Sequence, residues 1–196
     1  MSPTSTNTIL NGIISVEDAQ QYAASSSAEN SALLVLAISV ISAKIDEFLY
    51  GQDFHVISQT YTDVVLGETR RARHLIFPGP LNVTAIASLE QRAGKDQYVE
   101  ISTAVYELTN YGAWGYGYMF MAGERLYRAT WTAGWTLESV PGTIREVAFE
   151  EVKQFLRAQP GLMSESTSGA GNIVNSWRDI DPTSKAKLNS YRRVYL

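Results

Sequence analysis

The hydrophobic period of this 196-residue chain changes twice, from helical to two-residue and back, which excludes both an all-helical bundle and an all-β sandwich. Leu34, Ile38, Ile41, Ile45 and Phe48 or Leu49 recur at three- and four-residue steps, with Lys44, Asp46 and Glu47 off that stripe. The spacing predicts a helix over 31–50 with Gly51 as its stop. Ser15-Val-Glu-Asp18 has capping-box spacing and predicts a shorter helix over 16–25. A third helix is expected over 143–158. Thr143-Ile-Arg-Glu146 reads as its capping box, Ile144, Val147, Ala148, Val152, Phe155 and Leu156 as its apolar stripe, and Pro160-Gly161 as its end. Glu150 and Glu151 read as its solvated face.

Between Phe54 and Thr132 the period is two. His74-Leu-Ile-Phe77 is β-prone and ends at Pro78-Gly79-Pro80, after which Val83, Ala85, Ala87 and Leu89 alternate with Thr84, Ile86 and Ser88. Trp114, Tyr116, Tyr118 and Phe120 alternate with Gly115, Gly117 and Met119, which predicts four rings on one face of a strand. Gly123 is read as the turn before a strand carrying Arg125, Tyr127, Ala129 and Trp131. Short connections favour antiparallel hairpins. The fold class is therefore α+β. It has a core of about three helices, an antiparallel β-sheet or hairpin insertion between the second and third helix, and an extended C-terminal arm.

Composition fixes what chemistry such a chain can carry. With no cysteine it holds no disulfide, thiolate metal site or cysteine nucleophile, which suits assembly in a reducing cytoplasm. The apolar run Ala32–Ile38, even extended to Ala43, falls short of the roughly 20 residues of a membrane span, and Glu17, Asp18 and Glu29 precede it where a secretory signal is positive. No membrane partner is expected, and the Asn82-Val83-Thr84 sequon then has no glycosylating compartment. Net charge is −4, split between +3 on residues 173–196 and −7 on the rest. The expected organisation is a flexible N-terminus over 1–12, a core domain over 13–160, a Gly- and Ser-rich linker over 161–172 and a basic arm over 173–196.

No catalytic motif is present: no nucleophile elbow, phosphate loop or paired metal-binding histidines. Gly115-Tyr-Gly117 lacks the third glycine and following helix of a dinucleotide fingerprint, and His55 and His74 sit in no motif that orients them. No enzyme activity, cofactor or metal is expected. Ten of the 21 aromatic residues fall between Tyr98 and Trp135. They read either as a stacking platform or as a packed sheet face continued into a subunit interface. Arg70, Arg71 and Arg73, next to His74, form the cationic cluster of the central region and read as a hairpin tip or a partner contact.

The order of these pieces resembles the head-tail connector proteins, also called adaptor or head-completion proteins, of tailed bacteriophages. Ile14-Ser-Val-Glu-Asp-Ala19 with the Leu33–Gly51 helix is similar to the family's opening helix pair, and the Leu75–Leu89 stretch to its strand, proline turn and strand. Arg128-Ala-Thr-Trp-Thr-Ala-Gly-Trp135, then Val140-Pro141 and the third helix, is similar to its closing strand, aromatic turn and core helix, and Leu188-Asn-Ser-Tyr-Arg-Arg193 to its C-terminal segment. The Tyr111–Phe120 stretch is richer in aromatics than the family's usual hairpin.

The resemblance implies a virion protein that forms a ring of about twelve subunits between the capsid portal and the next neck, stopper or tail-completion protein. Double-stranded DNA passes through such a ring without sequence-specific binding, and an acidic body disfavours a counterion-releasing grip on it. On this reading Trp177, Tyr191, Arg192, Arg193 and Tyr195 are the portal- or partner-docking candidates. Arg70, Arg71, Arg73, Trp114, Tyr116 and Tyr118 are the subunit-contact candidates. The competing reading is a carbohydrate- or single-strand-binding module using Tyr111, Trp114, Tyr116 and Tyr118. A hydrolase would have only Asp, Glu and the two histidines to work with.

Overall fold

A computed structural model describes residues 12–23, 31–51, 53–67, 73–95, 97–121, 123–157 and 179–192. The architecture is mixed α+β with antiparallel sheets. It divides into two compact units, one built on residues up to 52 together with those from 136 onward, the other on Asp53–Trp135.

The first unit is helical. α1 (Val16–Ala23) starts where the capping spacing predicts, the Ser15 hydroxyl oxygen accepting from the Asp18 amide at 3.0 Å. α2 (Ser31–Tyr50) runs to Gly51, whose φ of +88° and amide bond to the Glu47 carbonyl (3.1 Å) end the helix. Its buried stripe is Leu34, Ile38, Ile41, Ile45 and Leu49, as the spacing predicts. The stripe is also wider than predicted. Asp46 is buried, and buried Ser42 accepts the Ile13 amide at 3.1 Å.

α3 (Gly142–Arg157) begins one residue earlier than expected, the Pro141 carbonyl accepting from the amides of Ile144 and Arg145. Thr143 is therefore already inside the first turn, and the Glu146 carboxylate binds Lys187. α1 is fastened to α3 by an Arg145–Asp18 ion pair at 3.1 Å and by Tyr22 stacked on Phe149, ring centroids 4.9 Å apart. A fourth helix, α4 (Pro182–Leu188), packs in the same unit where an extended arm is expected from the sequence. The Asp181 carboxylate caps it by accepting from the Thr183 amide at 2.8 Å, and Pro182 occupies its first turn.

The second unit holds two antiparallel sheets. The larger is ordered β1 (Gln59–Gly67), β7 (Gly123–Ala133), β3 (Val83–Gly94), β4 (Gln97–Glu100), and the smaller β2 (His74–Ile76), β6 (Gly112–Gly115), β5 (Tyr106–Thr109). Gly123 is the first residue of β7 and pairs with Gly67, so it is not the turn its sequence position suggests. Along β7, Tyr127, Ala129, Trp131 and Ala133 are buried together, as the two-residue period predicts.

β3 departs from the alternation its sequence shows. Register shifts between Val83/Ala85 and Ile86/Ser88 insert a bulge twice, so Val83, Ile86 and Leu89 pack on the core while Ala85 and Ala87 are exposed. The core of the unit is an aromatic chain through Phe54, Tyr61, Trp131 and Phe77, with successive centroids 5.1 to 5.8 Å apart.

Candidate functional site

The glycine-rich aromatic stretch forms no continuous strand. β6 stops at Gly115, where a side chain would collide with the Tyr118 carbonyl, and Gly117 turns the backbone at φ +62°. The four rings predicted for one strand face therefore separate. Trp114 lies on β6 opposite both His74 and Glu107, and Tyr116 meets it edge-on at 4.9 Å and 76°. The exposed Tyr116 hydroxyl donates to Glu107 at 2.5 Å, and this bond, then the carboxylate's charge, raises the phenol pKa above its ordinary value.

Tyr118 turns the other way and donates to the Gln91 amide oxygen at 2.6 Å, its pKa raised by desolvation. Beyond it Phe120 is buried edge-on between Tyr118 and Tyr127, whose hydroxyl accepts the Met121 amide at 2.5 Å. These rings tile one another edge to face rather than presenting a parallel platform.

Of the other central candidates, Arg73 is exposed at the head of β2, its carbonyl accepting the Gly115 amide, while Arg70 and Arg71 lie outside the described residues. The His74 ring lies 6.3 Å from Trp114, and the His55 amide donates to Tyr61. No group of three His, Asp or Glu side chains able to hold a metal occurs among the described residues. Asn82 of the sequon stands at φ +78° and donates its amide to the Gly134 carbonyl at 2.8 Å, a structural staple between two loops.

The C-terminal candidates divide. Trp177, Arg193 and Tyr195 lie outside the described residues, as does the expected linker. Tyr191 is half-buried in a 3-10 turn after α4, and the exposed Arg192 holds its guanidinium 5.2 Å from the Phe48 ring centre. α4 is held by the glutamates of α3. Lys187 bonds Glu146 at 2.9 Å and Glu150 at 3.0 Å, and both raise its pKa. Glu151, which its helical position suggests is solvated, is buried and accepts the Asp181 amide at 3.0 Å. Asp179 pairs with Lys185 at 2.6 Å, which lowers the carboxyl's pKa, the Ile180 amide adding to it. The contacts between α3 and α4 carry no local sequence signal, because Lys187 stands 41 and 37 positions from Glu146 and Glu150, and Asp181 stands 30 from Glu151.

At one end of the sheet unit a notch of about 470 Å³ opens beside β4, lined by Arg92, Val99, Glu100, Ile101, Val105 and Tyr118 among others. Gln91 connects its wall to the following segment, its amide nitrogen 3.8 Å from the Met121 sulfur. Val99, Met121, Met119 and Tyr116 are all exposed.

No protein-family model matches the sequence. No curated protein matches it either. Solved structures do. A chain in the neck of an empty gene transfer agent particle, computed with C6 symmetry, superposes with a TM-score of 0.60 at 13% identity, over 97% of this chain and 94% of that one. A chain in the neck of the native particle, computed with C12 symmetry, gives 0.53 at 15% identity over the same shares. A chain of the whole native virion gives 0.57 at 14% identity, again over 97% and 94%. The fold is thus that of chains in the necks of phage-like particles, in agreement at that level with the resemblance to head-tail connectors. Among the described residues no helix is long and apolar enough to cross a membrane.

Proposed function

We propose that this chain is a structural subunit of the neck of a tailed-phage-like particle, without enzymatic activity, and that it assembles into a closed ring around the DNA path. The observation that carries the reading is the likeness to neck chains over 97% of its length. Twelve copies is the number it favours, since one related neck follows C12 symmetry and another C6. The ring connects the capsid portal to a downstream neck, stopper or tail-completion protein. It assembles in the host cytoplasm and ends in the virion, with double-stranded DNA sliding through its channel.

Within the subunit, α1, α2 and α3 form the core and the sheet unit is inserted between α2 and α3. Residues 161–172 tether the segment 173–196, whose Trp177, Tyr191, Arg192, Arg193 and Tyr195 supply partner contacts, while Arg70, Arg71, Arg73, Trp114, Tyr116 and Tyr118 face a neighbouring subunit. A ring needs two different complementary patches on each copy, and a mostly acidic body with a basic C-terminal end supplies charge of both signs. Electron microscopy of the protein mixed with its particle's portal is expected to show a ring with a central channel. A chain that stays monomeric and joins no assembly refutes the proposal.

A further inference from the structure

We infer that a cavity of the helical unit, walled by α1, α3 and α4, is an anion site where Lys153 and Arg157 hold a carboxylate side chain of an acidic polypeptide segment. The cavity has a volume of about 380 Å³. Lys153 and Arg157 stand four positions apart on α3 and both line it. Like charges at this helical spacing repel each other, so the pair costs free energy until an anion lies between them. Among the described residues no carboxylate pairs with either side chain, whereas Lys187 in the same wall is bonded to Glu146 and Glu150. Tyr22, stacked on Phe149, carries the Lys153 ammonium 5.3 Å from its ring centre, which positions that charge without neutralising it.

The charge of the wall selects the ligand. Glu150 and Asp181 also line the cavity, the first bonded to Lys187 and the second to the Thr183 amide. Three cations against two carboxylates leave a single positive charge, which one carboxylate neutralises. A nucleic-acid strand brings a row of phosphates, and Glu150 and Asp181 repel those that the two cations do not hold. The planar Arg157 guanidinium matches the two oxygens of a carboxylate, and Gln154 in the same wall adds a neutral donor. The inference stands on the helical unit alone and goes beyond the ring reading by naming the chemistry of a partner.

The test uses the full-length chain and a fluorescein-labelled hexaglutamate peptide, read by fluorescence anisotropy. Saturable binding is expected, weakened about ten-fold by Lys153→Gln together with Arg157→Gln, as the loss of charge-assisted bonds requires. Lys95→Gln, which removes an exposed cation of the sheet unit, is expected to leave it unchanged. Arg157→Lys keeps the charge, loses the planar fork and weakens binding several-fold. Arg157 is exposed at the end of α3, so its single substitutions leave the fold intact and keep the test valid if the double variant unfolds. In NMR of the unsubstituted chain, the peptide is expected to shift the side-chain amide signals of Gln154. Binding that never saturates, equal loss from Lys95→Gln, full binding by both Arg157 variants or unmoved Gln154 signals overturns the inference. A short DNA duplex that displaces the peptide and itself depends on Lys153 and Arg157 overturns it too, by assigning the cavity to phosphates. The ring reading fails separately, since a chain that joins no assembly still binds the peptide if this site is real.

Discussion

Gly134 stands at φ +109°, a conformation that costs an L side chain about 1–3 kcal/mol, and a Cβ there would lie 2.8 Å from the Val56 carbonyl oxygen. Its carbonyl takes the Asn82 side chain and its amide donates to the Asn82 carbonyl, so the backbone cannot move away without losing both bonds. Gly134→Ala is therefore expected to lower the stability of the sheet unit by at least about 2 kcal/mol, read from urea unfolding followed by tryptophan fluorescence. An unchanged midpoint refutes it. At this scale the sequence speaks unevenly. The glycine after α2 and the Ser15 cap are legible because their partners lie within four residues. The burial of Glu151 is not, since its partner, the Asp181 amide, stands 30 positions along the chain.

Among the elements, α4 shows how charge holds a short helix that propensity alone would leave marginal. Lys187, its pKa raised, contributes to docking below the usual lysine range, and the contribution disappears as pH rises through the raised value. Asp179, its pKa lowered, contributes above the usual carboxylate range, and that contribution disappears as pH falls through the lowered value. Docking is thus expected to hold across neutral pH and to loosen at both the acid and alkaline ends, with the methyl signals of buried Leu188 reporting the change by NMR. Lys187→Ala is expected to speed hydrogen exchange of the α4 amides several-fold, and about 0.5 M salt to do the same to the unsubstituted chain, because these groups are solvent-facing and screened. Equal exchange in all three conditions removes the electrostatic account. Elements differ in legibility for a similar reason. α2 and β7 follow from a local period, whereas β3 reads as a clean alternation that two bulges against β7 convert to a three-residue spacing.

For the whole molecule, the described C-terminal residues belong to the packed interior of the helical unit. Ile180 and Leu188 are buried, and each contributes roughly 1.5–3 kcal/mol, so truncation after 172 is expected to lower the melting temperature by at least about 5 °C in calorimetry. An unchanged melting temperature refutes it. The sequence by itself determined the helix–sheet–helix order, the limits of α2, the antiparallel character of the strands and the separation of an acidic body from a basic end. All of these are set by local period or by counting charge. Only the tertiary structure decided that α4 folds onto the glutamates of α3, that the aromatic stretch breaks at Gly115 and Gly117, and that a notch opens beside β4. Each of these depends on groups far apart in the chain meeting across packed surfaces, where desolvation and close approach, rather than neighbouring residues, set the outcome.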